Sequence, residues 1–130
     1  MKTLTYIAPV LQVEDLSRSL AFYRDQLGFA VDFVYETFYA GVSRDACHIH
    51  FKCSTGMPRA QKASDQKDHI DVCIGVARAE EVSASFAAAG VSFAVPLRYV
   101  SYGTEFYVRD PDGYVLGFVQ SAPSPDDSNS

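Results

Sequence analysis

The sequence predicts an α+β fold made of two copies of one βαβββ module. Three observations carry that expectation. Leu27-Gly28-Phe29 superposes on Ala89-Gly90-Val91 at an offset of 62 residues, and Val13 on Val76 at an offset of 63. Leu16, Leu20, Tyr23 and Leu27 recur at i, i+4, i+7 and i+11, which draws one apolar stripe along a helix. Asp110-Pro111-Asp112-Gly113 spells a tight turn between apolar segments: Pro111 presets φ, the Asp110 carboxylate can accept from backbone N–H groups of the turn, and Gly113 tolerates left-handed backbone.

Module one is expected to span 5–53. Its opening strand turns Ile7, Leu11 and Val13 inward and Ala8, Val10 and Gln12 to the other face. Asp15 is the natural N-cap of the following helix and Gly28 its left-handed terminator. Strands follow over 30–35, 38–42 and 47–53; in the last, Ile49 and Phe51 point inward and His48, His50 and Lys52 outward. The polar stretch 54–67, with Gly56, Pro58 and several basic residues, reads as a linker. Module two, 68–120, opens on a strand that sends Ile70, Val72 and Ile74 inward and His69, Asp71 and Cys73 outward. A second helix covers 79–89, with Val82 and Phe86 on one face and Gly90 as terminator. Strands over 92–95 and 104–109 precede a last strand with Leu116 and Phe118 inward and Val115, Gly117 and Val119 outward. Residues 1–120 thus form one domain, and 121–130, rich in Ser, Pro and Asp, a disordered tail. A helix covers only one face of each module, so two bare faces are expected to close against each other, within the chain or across a homodimer.

The composition excludes several function classes. A net charge of −5 argues against phosphate-backbone binding, so no nucleic-acid partner is expected. The absence of a bilayer-length apolar run or a basic, apolar leader points to no membrane partner and a cytoplasmic protein. Cys47, Cys53 and Cys73 are odd in number and lack CxxC spacing, which suits reduced, partly buried thiols. No G-x-S-x-G, phosphate-cradling loop or GxGxxG is present. A Cys73–His69 dyad fails on distance, since four residues along a strand span about 13 Å.

Three segments carry a family resemblance: Val10 through Phe29 with its FY…LGF ending, His69-Ile70-Asp71-Val72-Cys73-Ile74, and Asp110-Pro111-Asp112-Gly113-Tyr114-Val115-Leu116-Gly117-Phe118. From about Tyr6 to Gln120 the chain resembles the vicinal oxygen chelate superfamily, the glyoxalase, bleomycin-resistance and extradiol-dioxygenase group. In that family the last segment reads DPDG, three residues, then a metal-binding Glu; here that position is Gly117. The four metal positions of the family fall on Ala8, His50, His69 and Gly117, and two imidazoles supply fewer donors than a catalytic metal site uses.

The resemblance therefore implies the metal-free, bleomycin-resistance-like branch, with no cofactor expected and no catalytic residue. If a divalent metal binds, His50 and His69 are the candidate ligands, with His48, Asp71 or Glu105 completing the set. The resemblance also brings Glu105 and Tyr107 to the cavity. The expected function is non-catalytic binding and sequestration of a small aromatic or drug-like molecule, bleomycin-like and favoured by the acidic surface when cationic, in a homodimer cleft. Gln12, His48, His50, His69, Asp71, Glu105 and Tyr107 form the candidate ligand-binding set. The alternative is a metal-dependent glyoxalase- or dioxygenase-type enzyme with an atypical ligand set. Plainer roles stand beside these: hydrogen-bonded lining for His48 and His50, a strand start for His69, and solvated rim carboxylates for Asp71 and Glu105.

Overall fold

The two halves of the chain build the same topology. Unit 1 (Met1–Lys62) contains β1 (Val10–Gln12), α1 (Leu16–Ala21) running on into a wide helical turn at Phe22–Gln26, β2 (Ala30–Tyr35), β3 (Tyr39–Arg44) and β4 (Cys47–Lys52). Unit 2 (Ala63–Ser130) contains β5 (Val72–Gly75), α2 (Ala79–Ala88), β6 (Phe93–Val100), β7 (Gly103–Arg109) and β8 (Val115–Ser121). The sheets run β1-β4-β3-β2 and β5-β8-β7-β6, and β1/β4 and β5/β8 are parallel while every other pairing is antiparallel. The α+β fold of two βαβββ modules stands as the sequence predicts. The computed structural model describes residues 2–53 and 69–123. The expected linker and residues 124–130 lie outside the described residues. Ser121 is the last residue of β8 rather than the first of a tail, and the Ala122 N–H donates to Tyr102 O at 2.7 Å.

Helix α1 starts, and both helices stop, where their caps dictate, whereas the first N–H of α2, that of Ala79, donates to the distant Gln120 Oε1 at 2.8 Å. The Asp15 carboxylate accepts from the Arg18 N–H at 3.1 Å, and Gly28 and Gly90 adopt φ of +78° and +82°. After α2 the Gly90 N–H bonds Ala87 O at 3.1 Å and the Val91 N–H bonds Phe86 O at 3.0 Å. The end of unit 1's helix is the same motif made one residue longer. There the Leu27 N–H reaches back five residues to Phe22 O at 3.2 Å, and the Phe29 N–H bonds Tyr23 O at 2.9 Å. The drop in repeat offset from 63 to 62 is this extra residue, absorbed as a single wide turn.

The helices bury Leu16, Ser19, Tyr23 and Leu27 in unit 1 and Ala79, Ser83 and Phe86 in unit 2. Leu20 and Val82, expected on the stripe, are only half-buried. The small Ser19 and Ser83 let each helix lie close to its sheet and leave their bulkier neighbours at the margin. Each core is aromatic: Tyr23 and Phe51 have ring centroids 4.8 Å apart, and Phe106 and Phe118 stack at 5.0 Å with Phe86 edge-on to Phe118 at 5.3 Å. Full burial of each such side chain contributes roughly 1.5–3 kcal/mol. The β7–β8 turn forms as its residues require, with Asp110 Oδ1 accepting from the N–H groups of Asp112 and Tyr114 at 2.9 Å each and Gly113 at φ +87°.

Both sheets bulge at the same place. The register shifts between Val31 and Phe33 in β2 and between Phe93 and Val95 in β6. Val31 lies opposite Val42 and Phe93 opposite Val108, on the helix-covered side, but the bulge turns Phe33 onto Gly41 and Val95 onto Tyr107, on the open side. β6 runs on to Val100, well past the expected Val95, because as an edge strand it accommodates Pro96 at an irregularity. The opening strand is shorter than expected: it starts at Val10, and Ile7, assigned to the core, is 88% exposed. Pro9 explains the difference. Its carbonyl accepts from the His50 N–H at 2.9 Å, but it has no N–H to carry the ladder further.

Candidate functional site

On the open face of unit 1, β4 presents two imidazoles. Ile49 and Phe51 are buried on the helix side, which leaves His48 and His50 on the other. The His50 Nδ1 lies 2.9 Å from the Tyr39 hydroxyl, and the Phe33 ring stands edge-on to the imidazole at 5.1 Å. Gly41, opposite both residues, makes this possible: a Cβ there would strike the Phe33 ring, with Cζ at 2.8 Å, and would lie 3.0 Å from His50 Cδ2. Phe33 also stacks with Tyr39 at 6.0 Å and meets Tyr35 edge-on at 5.7 Å. Tyr6 stacks on His48 at 4.3 Å, and Asp32 Oδ2 lies 3.8 Å from His48 Nδ1. The Ser43 hydroxyl donates to Asp32 Oδ1 at 2.9 Å. Gln12, half-buried, lies on β1 two residues along from Val10, the register partner of His50. The expected Gln12, His48 and His50 thus occupy one face, and the sequence reading missed Tyr6 and Asp32 beside them. Tyr6 had a signal, since it continues the Ala8, Val10, Gln12 alternation. Asp32 had none, because it sits at the bulge.

The open face of unit 2 carries a closed polar network. Arg98 and Glu105 are register partners, and the guanidinium donates to Glu105 Oε2 through Nε at 2.8 Å and through an Nη at 2.6 Å. The Tyr102 and Tyr107 hydroxyls donate to Glu105 Oε1 at 2.8 and 3.3 Å, and the guanidinium lies 5.5 Å from the Tyr107 ring centroid. Glu105 is 1% exposed, so it is a buried, paired carboxylate and not a solvated one on the rim. Its hydrogen bond pushes the Tyr102 phenol up to about 12. Burial, then the Glu105 charge, raises that of Tyr107, while Arg98 opposes them. Arg98 escaped the sequence reading because its pairing depends on the register of an irregular strand.

The start of β5 departs from simple alternation. Val72 and Ile74 pair with Leu116 and Phe118 on the helix side and Cys73 with Gly117 on the open side, as expected. Cys73 is exposed rather than partly buried. Ile70 was expected in the core, yet its side chain lies on the open face against Gly117, where a Cβ would meet Ile70 Cδ1 at 2.9 Å. Asp71 is the cause. Its Oδ2 accepts the Val115 N–H at 2.8 Å while its own N–H donates to Val115 O at 2.8 Å, so the chain bends there and the alternation does not extend back through it. The same carboxylate holds His69, whose Nε2 is 2.9 Å from Asp71 Oδ1.

These positions do not fit a resident metal of the family type. Ala8 and Gly117 offer no donor, Ile70 fills the space from which residue 117 would project, and His69 Nε2 is engaged by Asp71. Among the described residues no group of three or more His, Cys, Asp or Glu could hold a metal ion. What the faces can do is stack flat rings, bury apolar area and orient a ligand through imidazoles and carboxylates. No helix among the described residues is long and apolar enough to cross a membrane.

Comparison with known proteins follows the same lines. No curated protein matches the sequence. Among solved structures, TioX from Micromonospora sp. ML1 is 19% identical, with 90% of this chain and 98% of that one covered and a TM-score of 0.72. The bleomycin-binding protein of Streptomyces verticillus, solved with copper(II)-bleomycin, is 25% identical over 94% of this chain and 100% of that one, with a TM-score of 0.70. A variant of the fosfomycin resistance protein FosX from Listeria monocytogenes, solved with manganese(II) and a dihydroxypropylphosphonic acid, is 14% identical over 94% and 92%, with a TM-score of 0.67. The profile of the glyoxalase/bleomycin resistance protein/dioxygenase superfamily matches residues 3–118, and the chain belongs to that superfamily.

Proposed function

We propose that this protein binds and sequesters a small aromatic or drug-like molecule without transforming it. The observation that carries the reading is the open face of unit 1, where the half-buried rings of Phe33 and Tyr39 pack beside His50, the exposed Tyr35 ring extends the cluster, and His48 presents its imidazole on the same face. Such a surface gains from stacking and area burial, and the imidazoles and Asp32 can orient a polar or cationic edge. Gln12, His69, Asp71, Glu105 and Tyr107 are the further candidates. Of these, Glu105 acts by holding Arg98 and the two phenols, since both of its oxygens are engaged. The likeness to the Streptomyces verticillus protein solved with copper(II)-bleomycin supports a bleomycin-like ligand, and the net charge of −5 favours a cationic one. We propose a cytoplasmic homodimer, supported by exposed apolar residues on the two edge strands of unit 1, Val10 on β1 and Val31 and Val34 on β2.

Titration of the purified protein with bleomycin, followed by tyrosine fluorescence and calorimetry alongside metal analysis, tests the reading. Saturable binding that leaves the ligand chemically unchanged is expected. A stoichiometric divalent metal, lost in a His50→Ala, His69→Ala double variant, would overturn it in favour of the metal-dependent enzyme.

A further inference from the structure

We infer that His48 carries a ring-stacking subsite which the protein's own Tyr6 fills when no ligand is bound, so that a planar aromatic ligand must displace a built-in strap. The inference rests on the binding function proposed above and adds where the ring sits and what it competes with.

Tyr6 comes from a segment, residues 2–9, that has no secondary structure. The flanking apolar side chains do not anchor it, for Leu4 is 89% and Ile7 88% exposed. The segment is tied at its far end, where Pro9 O accepts from the His50 N–H at 2.9 Å. Its aromatic contacts are the rings of His48 and His50. The Tyr6 ring lies over His48 at 4.3 Å with an interplanar angle of 23°, and its edge meets His50 at 5.9 Å and 62°. This is the offset-parallel geometry a planar ligand would adopt on the imidazole.

The subsite also selects the ligand's edge. Asp32 sits beside the stack, 3.8 Å from His48 Nδ1 and anchored by the Ser43 hydroxyl, so a ring carrying a cationic or N–H edge gains a carboxylate partner. The phenol of Tyr6 supplies no cation there. A planar aromatic cation therefore has an advantage over the strap it replaces. Anchored by one ring beyond its tie at Pro9, the strap can swing away at small cost, as expected of a segment at the low-stability end of a structure.

Two measurements test this with 9-aminoacridine as the planar cationic probe. In the ligand-free protein, the ring current of Tyr6 is expected to hold the His48 ring-proton resonances upfield of their positions in Tyr6→Ala and Tyr6→Leu variants. The leucine variant retains apolar bulk without a ring current. Identical His48 shifts in all three proteins remove the strap. In the binding arm, both variants are expected to take up 9-aminoacridine roughly two- to tenfold more tightly than the parent, the range set by one aromatic pair. Equal or weaker binding by the variants sinks the subsite and leaves the binding function standing. Failure of all three proteins to bind 9-aminoacridine also sinks the subsite, and only failure to bind bleomycin as well sinks the binding function.

Discussion

One row of residues across each sheet shows how the two units diverged on a common frame. In unit 1 the row reads Val10, His50, Gly41, Phe33 across β1, β4, β3 and β2. In unit 2 it reads Cys73, Gly117, Tyr107, Val95 across β5, β8, β7 and β6. Each row has one glycine, and in each a large apolar side chain lies over it, Phe33 over Gly41 and Ile70 over Gly117. The glycine has moved by one strand. Unit 1 thereby keeps an imidazole where unit 2 has bare backbone under an isoleucine, so one face remains an exposed aromatic surface while the other is closed by Ile70 and the Glu105 network. The same topology hosts a surface fit for recognition and a surface that satisfies itself.

The largest expected effect breaks the self-satisfied half. Glu105→Ala removes the shared acceptor of the Arg98 guanidinium and two phenols, at a cost of about 2–3 kcal/mol in urea denaturation, below the roughly 3–5 kcal/mol of a fully buried pair because Arg98 is partly exposed. Asp32→Ala on unit 1 removes one exposed hydrogen bond and is expected to cost about 0.5–1 kcal/mol. Equal costs would show that burial of the network does not distinguish the units.

A second experiment addresses the glycines. Gly117→Glu forces a side chain into Ile70 and should destabilise by about 1–3 kcal/mol, with a large part recovered in the Ile70→Ala, Gly117→Glu double variant. If the single variant is as stable as the parent, Ile70 does not occupy that space.

The smallest effect is a titration. The Tyr102 phenol, raised from 10.0 to about 12 by its bond to Glu105, should be a late-ionising tyrosine in an ultraviolet alkaline titration, and Tyr102→Phe should remove that phase. Because the folded-state value is raised, the associated stability is present in full below pH 10 and is lost as pH rises through about 12. A Tyr102→Phe variant with an unchanged alkaline titration would place the phenol away from Glu105.

The fold was legible because its signals are local. The Asp15 cap, the terminators Gly28 and Gly90, the Asp110 turn and the alternation of Ile49 with Phe51 act over a few residues, and all appear where expected. The candidate faces were legible only in part. His48, His50 and Tyr107 follow from strand parity or family position, whereas Ile70 was misassigned because parity fails across the Asp71 bend. The buried state of Glu105 was missed because its partner lies on a strand whose register the sequence does not state.

By itself, the sequence determined the repeat, both helices, the start of α1 and the ends of both, the final hairpin and the apolar side of each sheet, because caps, turns and side-chain periodicity are set by neighbours along the chain. It also determined that Ala8 and Gly117 bring no donor. Only the tertiary structure decided that a bulge turns Phe33 outward over Gly41, that Ile70 lies over Gly117, that Arg98 finds Glu105 and that Tyr6 rests on His48. These are contacts between separate segments, and their register depends on one-residue irregularities that leave no periodic trace in the sequence.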